Sequence, residues 1–183
     1  MCHKFNEYRS SQKIRFYHFS KDNRDESEIK NMTSEQLVLA LQQKNTQVDY
    51  TAWGNSVYMA FVENVSLGYA EDDGYLYELE LKNSVNYIES TEKKYAQREV
   101  AGNNIPHSTI EFVNNELRFI GPNKEFMTFL GEKGYAFECF ADESLNKEFI
   151  VPVKLMGLFK ITSVQKINFS IRSGITIGNK YIK

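Results

Sequence analysis

The sequence predicts a strand-rich α+β domain with a few short helices. Short aromatic-rich segments recur between polar turns, and aromatic residues make up 14% of the 183 residues. Strand and helix patterns do not alternate regularly, which argues against a doubly wound fold. No repeat or Pro/Gly-rich linker divides the chain. We therefore expect one domain over residues 1–183, with a core at 13–167 and a basic C-terminal hairpin or tail at 168–183.

The first half of the chain is predicted to begin with a short aromatic strand, Lys13–Phe19, and a charged loop, Lys21–Lys30. A helix follows at Thr33–Lys44, because Thr33 and Gln36 have the spacing of a capping box. The other elements predicted here are a strand at Asn55–Phe61, a short helix at Val62–Ala70 and a half-exposed, alternating strand at Gly74–Leu81.

The second half is predicted to be dominated by strands after a charged, exposed helix at Thr91–Val100. Asn114-Asn115 indicates a hairpin, because Asn tolerates positive φ. The predicted elements are the hairpin strands Thr109–Val113 and Glu116–Ile120, a helix at Asn123–Leu130 ended by Gly131 or Gly134, strands at Tyr135–Phe140, Glu148–Pro152 and Leu158–Ile167, and a last hairpin around Ser173-Gly174.

Several function classes are disfavoured by motifs that the sequence lacks. It contains neither a G-x-G-x-x-G nor a G-x-x-x-x-G-K-[ST] phosphate loop, and no G-x-S-x-G serine elbow. His18, His107 and Cys139 lack a recognisable ligand spacing, so we expect no metal, and Cys139 is expected to be a core residue. No apolar run approaches ~18 residues and no secretory signal is present, which predicts a cytoplasmic protein without membrane contact.

Charge is distributed unevenly along the chain. The net charge is −2, yet no acidic residue follows Glu148, whereas six basic residues do. This segment either presents a face to phosphates or acidic partners, or places solvated lysines along strand edges, where they discourage edge pairing.

Three segments carry candidate chemistry. They are FYHFS at 16–20, VYMA at 57–60 with Tyr69 separated from Tyr58 by ten residues, and EFIVP at 148–152. In this order they resemble the His–Tyr–Tyr–Glu signature of the diphtheria-toxin-like ADP-ribosyltransferases. The resemblance covers about Ile14 to Ile167, most of the chain.

The resemblance implies a split β-sheet core with a central NAD cleft and an NAD-dependent mono-ADP-ribosyltransferase activity. NAD is then a co-substrate. The catalytic residues implied are Glu148, His18 and Tyr58. Glu148 would stabilise the oxocarbenium-like transition state. Tyr58 and Tyr69 would clamp the cationic nicotinamide ring, and His18 would bind the adenosine-side ribose.

The implied NAD-binding set is His18, Phe19, Ser20, Tyr58, Tyr69 and Arg15, with Arg24 as a second candidate for the diphosphate. Phe19 departs from the family, which usually has glycine after the histidine. That position binds the nicotinamide amide through its backbone, so the Phe19 side chain must point away from the ligand.

The loop Ala141–Lys147 is implied to choose the acceptor, with Asn146 and Lys147 as substrate-selecting residues. Asn146 stands where the family has Glu or Gln for arginine modification, which argues against that acceptor. The basic C-terminal segment slightly favours RNA or DNA over protein. The small chain resembles a bacterial or phage toxin, a toxin–antitoxin or phage-conflict component, or an injected effector, with an antitoxin or immunity protein as partner.

Alternatives remain open at this point. An NAD glycohydrolase on the same fold would use water as acceptor, and an RNA 2′-phosphotransferase also begins from a histidine strand. A non-catalytic binding or immunity module would use its aromatic residues for core and interface. Glu138 and Glu143 are the alternative carboxylates if the strand register differs from the one predicted.

Overall fold

The computed structural model describes residues 3–46, 55–90, 98–99, 106–110, 119–140 and 146–183. Twelve strands and four α-helices lie within these ranges, with 3₁₀ turns at Ser10–Gln12 and Val153–Leu158. The elements are β1 His3–Tyr8, β2 Arg15–Lys21, α1 Glu26–Asn31, α2 Ser34–Thr46, β3 Ser56–Ala60, α3 Glu63–Leu67, β4 Gly74–Leu81, β5 Val85–Ser90, β6 Arg98–Glu99, β7 Pro106–Ile110, β8 Phe119–Pro122, α4 Asn123–Lys133, β9 Tyr135–Phe140, β10 Lys147–Pro152, β11 Phe159–Ser170 and β12 Gly174–Ile182.

The strands form one open mixed sheet of nine strands, in the order β1-β5-β9-β10-β3-β2-β4-β11-β12, and a small sheet, β6-β7-β8. Only β5 and β9 pair in parallel in the large sheet. The architecture is therefore strand-rich with few short helices, as the sequence predicts for an α+β class.

Within the large sheet, the pairing between β2 and β3 is the shortest. These strands share one ladder pair, Tyr17 with Ala60. On its other edge β2 pairs with β4 along its whole length, from Arg15 with Glu80 to Lys21 with Gly74. The two halves of the sheet are therefore joined by a short stretch of backbone at its centre.

One face of the sheet carries the main core. Phe16 and Phe149 are completely buried and stack at 5.2 Å between ring centroids, and Tyr8 stacks on Tyr87 at 4.3 Å. Helix α2 adds buried leucines such as Leu37 to this cluster. Aromatic pairs of this geometry contribute about 0.5–1.5 kcal/mol each beyond the area they bury.

The opposite face carries two smaller clusters. Under α4, Met127 and Leu130 pack with Ile150. Under α3, Leu67 packs with Ile167 among other apolar residues. The strand ends between these two helices form the region where the candidate site residues lie.

Local signals at the ends of α2 and α4 are confirmed. The Thr33 hydroxyl accepts from the Gln36 amide, and the Gln36 side chain accepts from the Thr33 amide, which is the predicted capping box. Gly134 follows the last residue of α4 with φ +81°, a left-handed conformation that favours glycine. The last hairpin also turns where it is predicted, with Gly174 at φ +74°.

Several predicted elements differ from the structure. The predicted loop Lys21–Lys30 contains helix α1. Glu26 and Glu28 lie in its first turn, where the helix dipole favours negative charge, and Ile29 is buried against the core. Strands β1 and β5 carry no clear alternation of apolar and polar residues, so the sequence prediction missed them. They are held by pairing with each other over six residue pairs.

The prediction that the strand at Gly74–Leu81 is half-exposed is also wrong, because β4 is buried on both faces. Its acidic face is covered by partners distant in sequence: Glu78 binds Lys180 at 2.9 Å and is only 9% exposed. Within the predicted helix Thr91–Val100, Arg98–Glu99 is a strand, and the other residues lie outside the described ones. Strands β7 and β8 pair antiparallel, and the predicted turn at Asn114-Asn115 lies outside the described residues.

Within the described residues, no helix is both long and apolar enough to cross a membrane.

Tyr75 on β4 generates a testable pH dependence. Its hydroxyl donates to the Arg24 carbonyl at 2.9 Å, and burial together with nearby Asp22 raises the pKa of Tyr75 from 10.0 to about 12. A raised folded-state pKa stabilises the protein below the unfolded value, and that stabilisation is lost as pH rises from about 10 to 12. We expect the free energy of unfolding in urea to fall over this window, and to fall less steeply in Tyr75→Phe. An unchanged slope in the variant would contradict this assignment.

Candidate active site

Glu148 lies at the start of β10, in the interior of the sheet. It pairs with Cys139 on β9 and with Ala60 on β3, and it is only 6% exposed. A carboxylate held between two strands has a fixed backbone position, so its direction is set by strand alternation.

Tyr69 is brought to Glu148 by the end of α3. After Leu67 the chain turns, with the Gly68 amide donating to the Asn64 carbonyl and the Tyr69 amide to the Ser66 carbonyl. The Tyr69 hydroxyl then donates to Oε1 of Glu148, while the residue as a whole is 58% exposed. A half-exposed ring beside a buried carboxylate is a surface that a planar ligand can contact.

Tyr58 lies on the same face of the sheet as Glu148. It pairs with Ile150 and is two residues from Ala60, the partner of Glu148, so Tyr58 and Glu148 are diagonal neighbours. Diagonal positions are ~7–8 Å apart, within reach of long side chains. The half-buried Tyr58 ring packs against the apolar cluster under α4. The structure thus brings together Tyr58, Tyr69 and Glu148.

His18 contacts this group through the backbone. Its Nδ1 lies 2.6 Å from the Tyr58 carbonyl oxygen, across the narrow junction of β2 and β3. Because a carbonyl oxygen only accepts, Nδ1 carries the proton in this hydrogen bond.

Strand alternation, however, places His18 and Ser20 on the face opposite Glu148. His18 pairs with Tyr77, and their rings are 6.4 Å apart. Ser20 is 5% exposed on the same side. His18 therefore meets the Glu148 side only at the junction itself, where it contacts the Tyr58 backbone, and Ser20 lies farther along β2.

Strand alternation places the Phe19 side chain on the Glu148 face of the sheet, two residues along β2 from Tyr17. Its ring lies against Gly74, where an added Cβ would come within 2.8 Å of the ring Cζ. It packs in the apolar cluster under α3 with Leu76. The bulky ring is accommodated because Gly74, two residues from the cross-strand partner Leu76, has no side chain.

The two candidate arginines have internal partners. Arg15 lies 3.6 Å from the Glu78 carboxylate, with its side chain 62% exposed. Arg24 binds Asp22, and this hydrogen bond raises the pKa of Arg24 against the opposing effect of burial. Arg15 is thus held at the surface of the Glu148 face, since it is two residues from Tyr17.

Lys147 points away from Glu148, since adjacent strand residues alternate between faces. Its ammonium donates to Glu138 at 2.6 Å and to Glu89 at 3.0 Å. Glu138 is only 1% exposed and also accepts from the Tyr8 hydroxyl. The other predicted substrate-selecting residue, Asn146, is exposed just before β10.

The alternative carboxylates are thereby distinguished. Glu138 pairs with Phe149, on the face opposite Glu148, and lies in the ion-pair network of Lys147. Glu143 and the loop segment 141–145 lie outside the described residues. The network was missed in the sequence because it joins four strands, β1, β5, β9 and β10, whose register no local pattern reveals.

Burial and the nearby carboxylates disfavour ionisation of the Cys139 thiol. Burial, followed by the nearby charges of Glu148 and Glu138, raises the pKa of Cys139 well above its usual range. The prediction that Cys139 is a core residue is confirmed by its 4% exposure. Among the described residues, no group of three or more His, Cys, Asp or Glu side chains is placed to hold a metal ion.

The Lys147 network gives a stability prediction. Lys147→Met leaves the buried Glu138 carboxylate without its cation, and because Lys147 itself is 40% exposed we expect a loss of about 1–3 kcal/mol in the free energy of unfolding. Lys160→Met is the matched control, because its 3.4 Å pair with Glu80 is partly exposed and contributes less than about 1 kcal/mol. Urea unfolding of both variants measures the difference; equal losses would refute the buried role of Glu138.

The chain matches no protein-family model, no curated protein and no solved structure. Its function is therefore argued from its own residues, their placement in the sheet and the motifs they form.

Proposed function

We propose that the protein is an NAD-dependent mono-ADP-ribosyltransferase with its reaction centre at Glu148, within a cleft at the junction of β2 and β3. The observation that carries the proposal is the hydrogen bond from Tyr69 to Glu148, with Tyr58 on the same face. The motif tyrosines and Glu148 lie together on one face here, and His18 contacts them from the other face through the Tyr58 carbonyl. This meeting supports the resemblance to the His–Tyr–Tyr–Glu signature.

The proposed reaction breaks the bond between the nicotinamide nitrogen and C1′ of the ribose. The bonding electron pair leaves with nicotinamide, which becomes neutral, and positive charge develops on the ribose. Glu148 stabilises this cationic transition state and accepts a hydrogen bond from the ribose 2′-hydroxyl. The acceptor nucleophile then forms a bond to C1′ and loses its proton to solvent.

The aromatic residues supply binding rather than chemistry in this proposal. The exposed Tyr69 ring offers a face to the cationic nicotinamide ring, and Tyr58 supports it from the sheet. Cation–π contacts of this kind contribute ~0.5–2 kcal/mol each. His18 binds the Tyr58 carbonyl through Nδ1 and so fixes the backbone beside the proposed site.

The acceptor is a macromolecule, either nucleic acid or protein. The preference for nucleic acid depends on the basic C-terminal segment. In the fold, Lys160 pairs with Glu80 and Lys180 with Glu78, and Lys166 lies 4.5 Å over the Tyr75 ring. Two of the six basic residues of this segment are therefore paired with carboxylates, which leaves protein and nucleic acid about equally supported.

A small catalytic domain of this kind suits a cytoplasmic bacterial or phage toxin or effector, opposed by an antitoxin or immunity protein. Incubating purified protein with NAD and measuring nicotinamide release tests the enzyme proposal. Labelled NAD with cell extract, followed by nuclease or protease treatment of the labelled product, identifies the acceptor class. Release without any transfer would assign an NAD glycohydrolase, and the absence of release would assign a binding or immunity module.

Glu148→Gln is the sharpest test of the reaction centre. The amide keeps the acceptor for the Tyr69 hydroxyl but removes the charge. We expect nicotinamide release to slow by a factor on the order of 10²–10³, the scale for deleting one electrostatic stabiliser. The Kd for NAD should change little, because the charge acts on the transition state.

Glu138→Gln is the control for this test, because Glu138 lies on the opposite face in the Lys147 network. It should lower stability while the folded protein keeps its rate. If Glu148→Gln keeps a near-normal rate and Glu138→Gln abolishes it, the motif is misplaced.

Tyr69 separates ring contact from hydrogen bonding. Tyr69→Ala should raise the Kd for NAD by about 2- to 30-fold, the equivalent of the ~0.5–2 kcal/mol expected for a cation–π contact. Tyr69→Phe keeps the ring and should raise it by less than about 3-fold. Both variants remove the hydroxyl that donates to the buried Glu148, so both should lower the thermal midpoint by a similar amount. Calorimetric titration with NAD provides the measurement; an unchanged Kd in Tyr69→Ala would exclude ring contact.

A further inference from the structure

The ladder between β3 and β10 ends at the candidate reaction centre, where its last pair is Ala60 with Glu148. The next position on the Glu148 face is Val62. Phe61 packs into the main core on the opposite face, and the Val62 backbone is still extended, with φ −128° and ψ 131°. Val62 therefore lies at the rim of the site, and it is 54% exposed.

Val62 and Tyr58 lie on opposite sides of Glu148 along the chain of β3 and its continuation. Each is two residues from Ala60, the partner of Glu148, which places its Cα roughly 7 Å from that of Ala60. In the proposed reaction, the acceptor nucleophile approaches C1′ from the side opposite the leaving nicotinamide. With nicotinamide on the Tyr58 side, the acceptor comes from the Val62 side.

Exposed apolar side chains flank the carboxylate at this rim. Val62 comes directly before α3 and Tyr69 shortly after it, and Tyr69 is 58% exposed with its hydroxyl on Glu148. Helix α3 thus has an exposed apolar side chain at each end, beside a buried charged group. Apolar side chains grouped at such a site, rather than scattered singly, mark a surface that contacts another molecule.

The charge of this region disfavours a nucleic acid as the acceptor. Residues 55–81, which include β3, α3 and β4, contain six acidic residues and no lysine, arginine or histidine. Glu63 follows Val62 in the first turn of α3, and it has no ion-pair partner among the described residues. A nucleic acid binds through cations that neutralise its phosphates, and here it would meet carboxylates instead.

Two cations of β2 on the same face are already ion-paired with this acidic segment. Arg15 lies 3.6 Å from Glu78, and Lys21 binds Asp72. They are therefore not available to phosphates without breaking these pairs. A basic protein surface, in contrast, would complement the charge of Glu63 and cover Val62 with its own apolar side chains.

We propose that Val62 and Glu63 form the acceptor-binding rim of the site, and that the acceptor is a protein surface with apolar and basic side chains. This inference rests on the proposed function, because it assigns the class of acceptor that the same reaction centre uses. Apolar contact supplies affinity in such an interface, and complementary charge supplies orientation.

The test measures label transfer and nicotinamide release in the same reaction. The purified protein is incubated with NAD labelled in its adenylate, together with either nuclease-treated cell extract or purified total RNA. We expect labelled protein in the nuclease-treated extract. Val62→Lys should lower the ratio of transfer to release at least about tenfold, because it removes apolar contact and repels a basic surface.

Leu39→Lys is the matched control for Val62→Lys. Leu39 is 55% exposed on α2, and α2 packs on the opposite face of the sheet. Its substitution should change the ratio less than about twofold, because the two positions share no partner. Circular dichroism confirms that both variants fold.

A second pair of variants tests charge alone. Glu63→Gln should lower the ratio by about 2- to 5-fold, the scale of one exposed ion pair. Glu35→Gln is its control, because Glu35 also lies in the first turn of a helix, so both changes remove the same interaction with a helix dipole. The control should leave the ratio unchanged.

Four results would overturn the inference. An equal ratio in wild type and Val62→Lys would exclude the rim from acceptor binding. Label in total RNA that increases in Val62→Lys would assign the acceptor to nucleic acid. Nicotinamide release without transfer in either mixture would assign an NAD glycohydrolase. No release by the wild type would overturn the proposed function, and this inference with it, so the two failures are distinguished.

Discussion

A single pair of residues, Tyr17 on β2 and Ala60 on β3, joins the two halves of the large sheet. Where these strands no longer pair, their backbone groups need other partners, because unpaired buried polar groups are costly. The His18 imidazole supplies one by binding the Tyr58 carbonyl. The candidate histidine therefore also stabilises the junction, and any cleft used by a ligand begins where the backbone ladder stops. Structure and proposed chemistry depend on the same few atoms.

Electrostatic complementarity between distant parts of the chain is a second organising feature. The acidic residues of β4 meet the basic residues of the C-terminal hairpin: Glu78 with Lys180, and Glu80 with Lys160. Two of the six basic residues that follow Glu148 are thus paired with carboxylates across the sheet.

Elements with local signals were predictable, and elements defined by long-range pairing were not. The capping box of α2 and the turn before β12 are encoded by neighbouring residues. The burial of β4 was not predictable, because the partner of Glu78 is 102 residues away. In the site, the ten-residue spacing predicts that Tyr69 faces Tyr58, whereas the hydrogen bond from Tyr69 to Glu148 was not predicted, because it depends on where the chain turns after α3. The placement of His18 on the opposite face depends on the register of β2, which its sequence leaves open.

Lys147 and Glu148 are consecutive residues that serve opposite faces of β10, and this arrangement discriminates against misregistered folding. A slip of one residue would exchange their faces. Glu148 would then enter the network beside Glu138 and Glu89, leaving three carboxylates without a cation, while Lys147 would be buried beside Tyr69. Both exchanges are electrostatically unfavourable. The ion-pair network therefore favours the register of β10 that places Glu148 on the Tyr69 side.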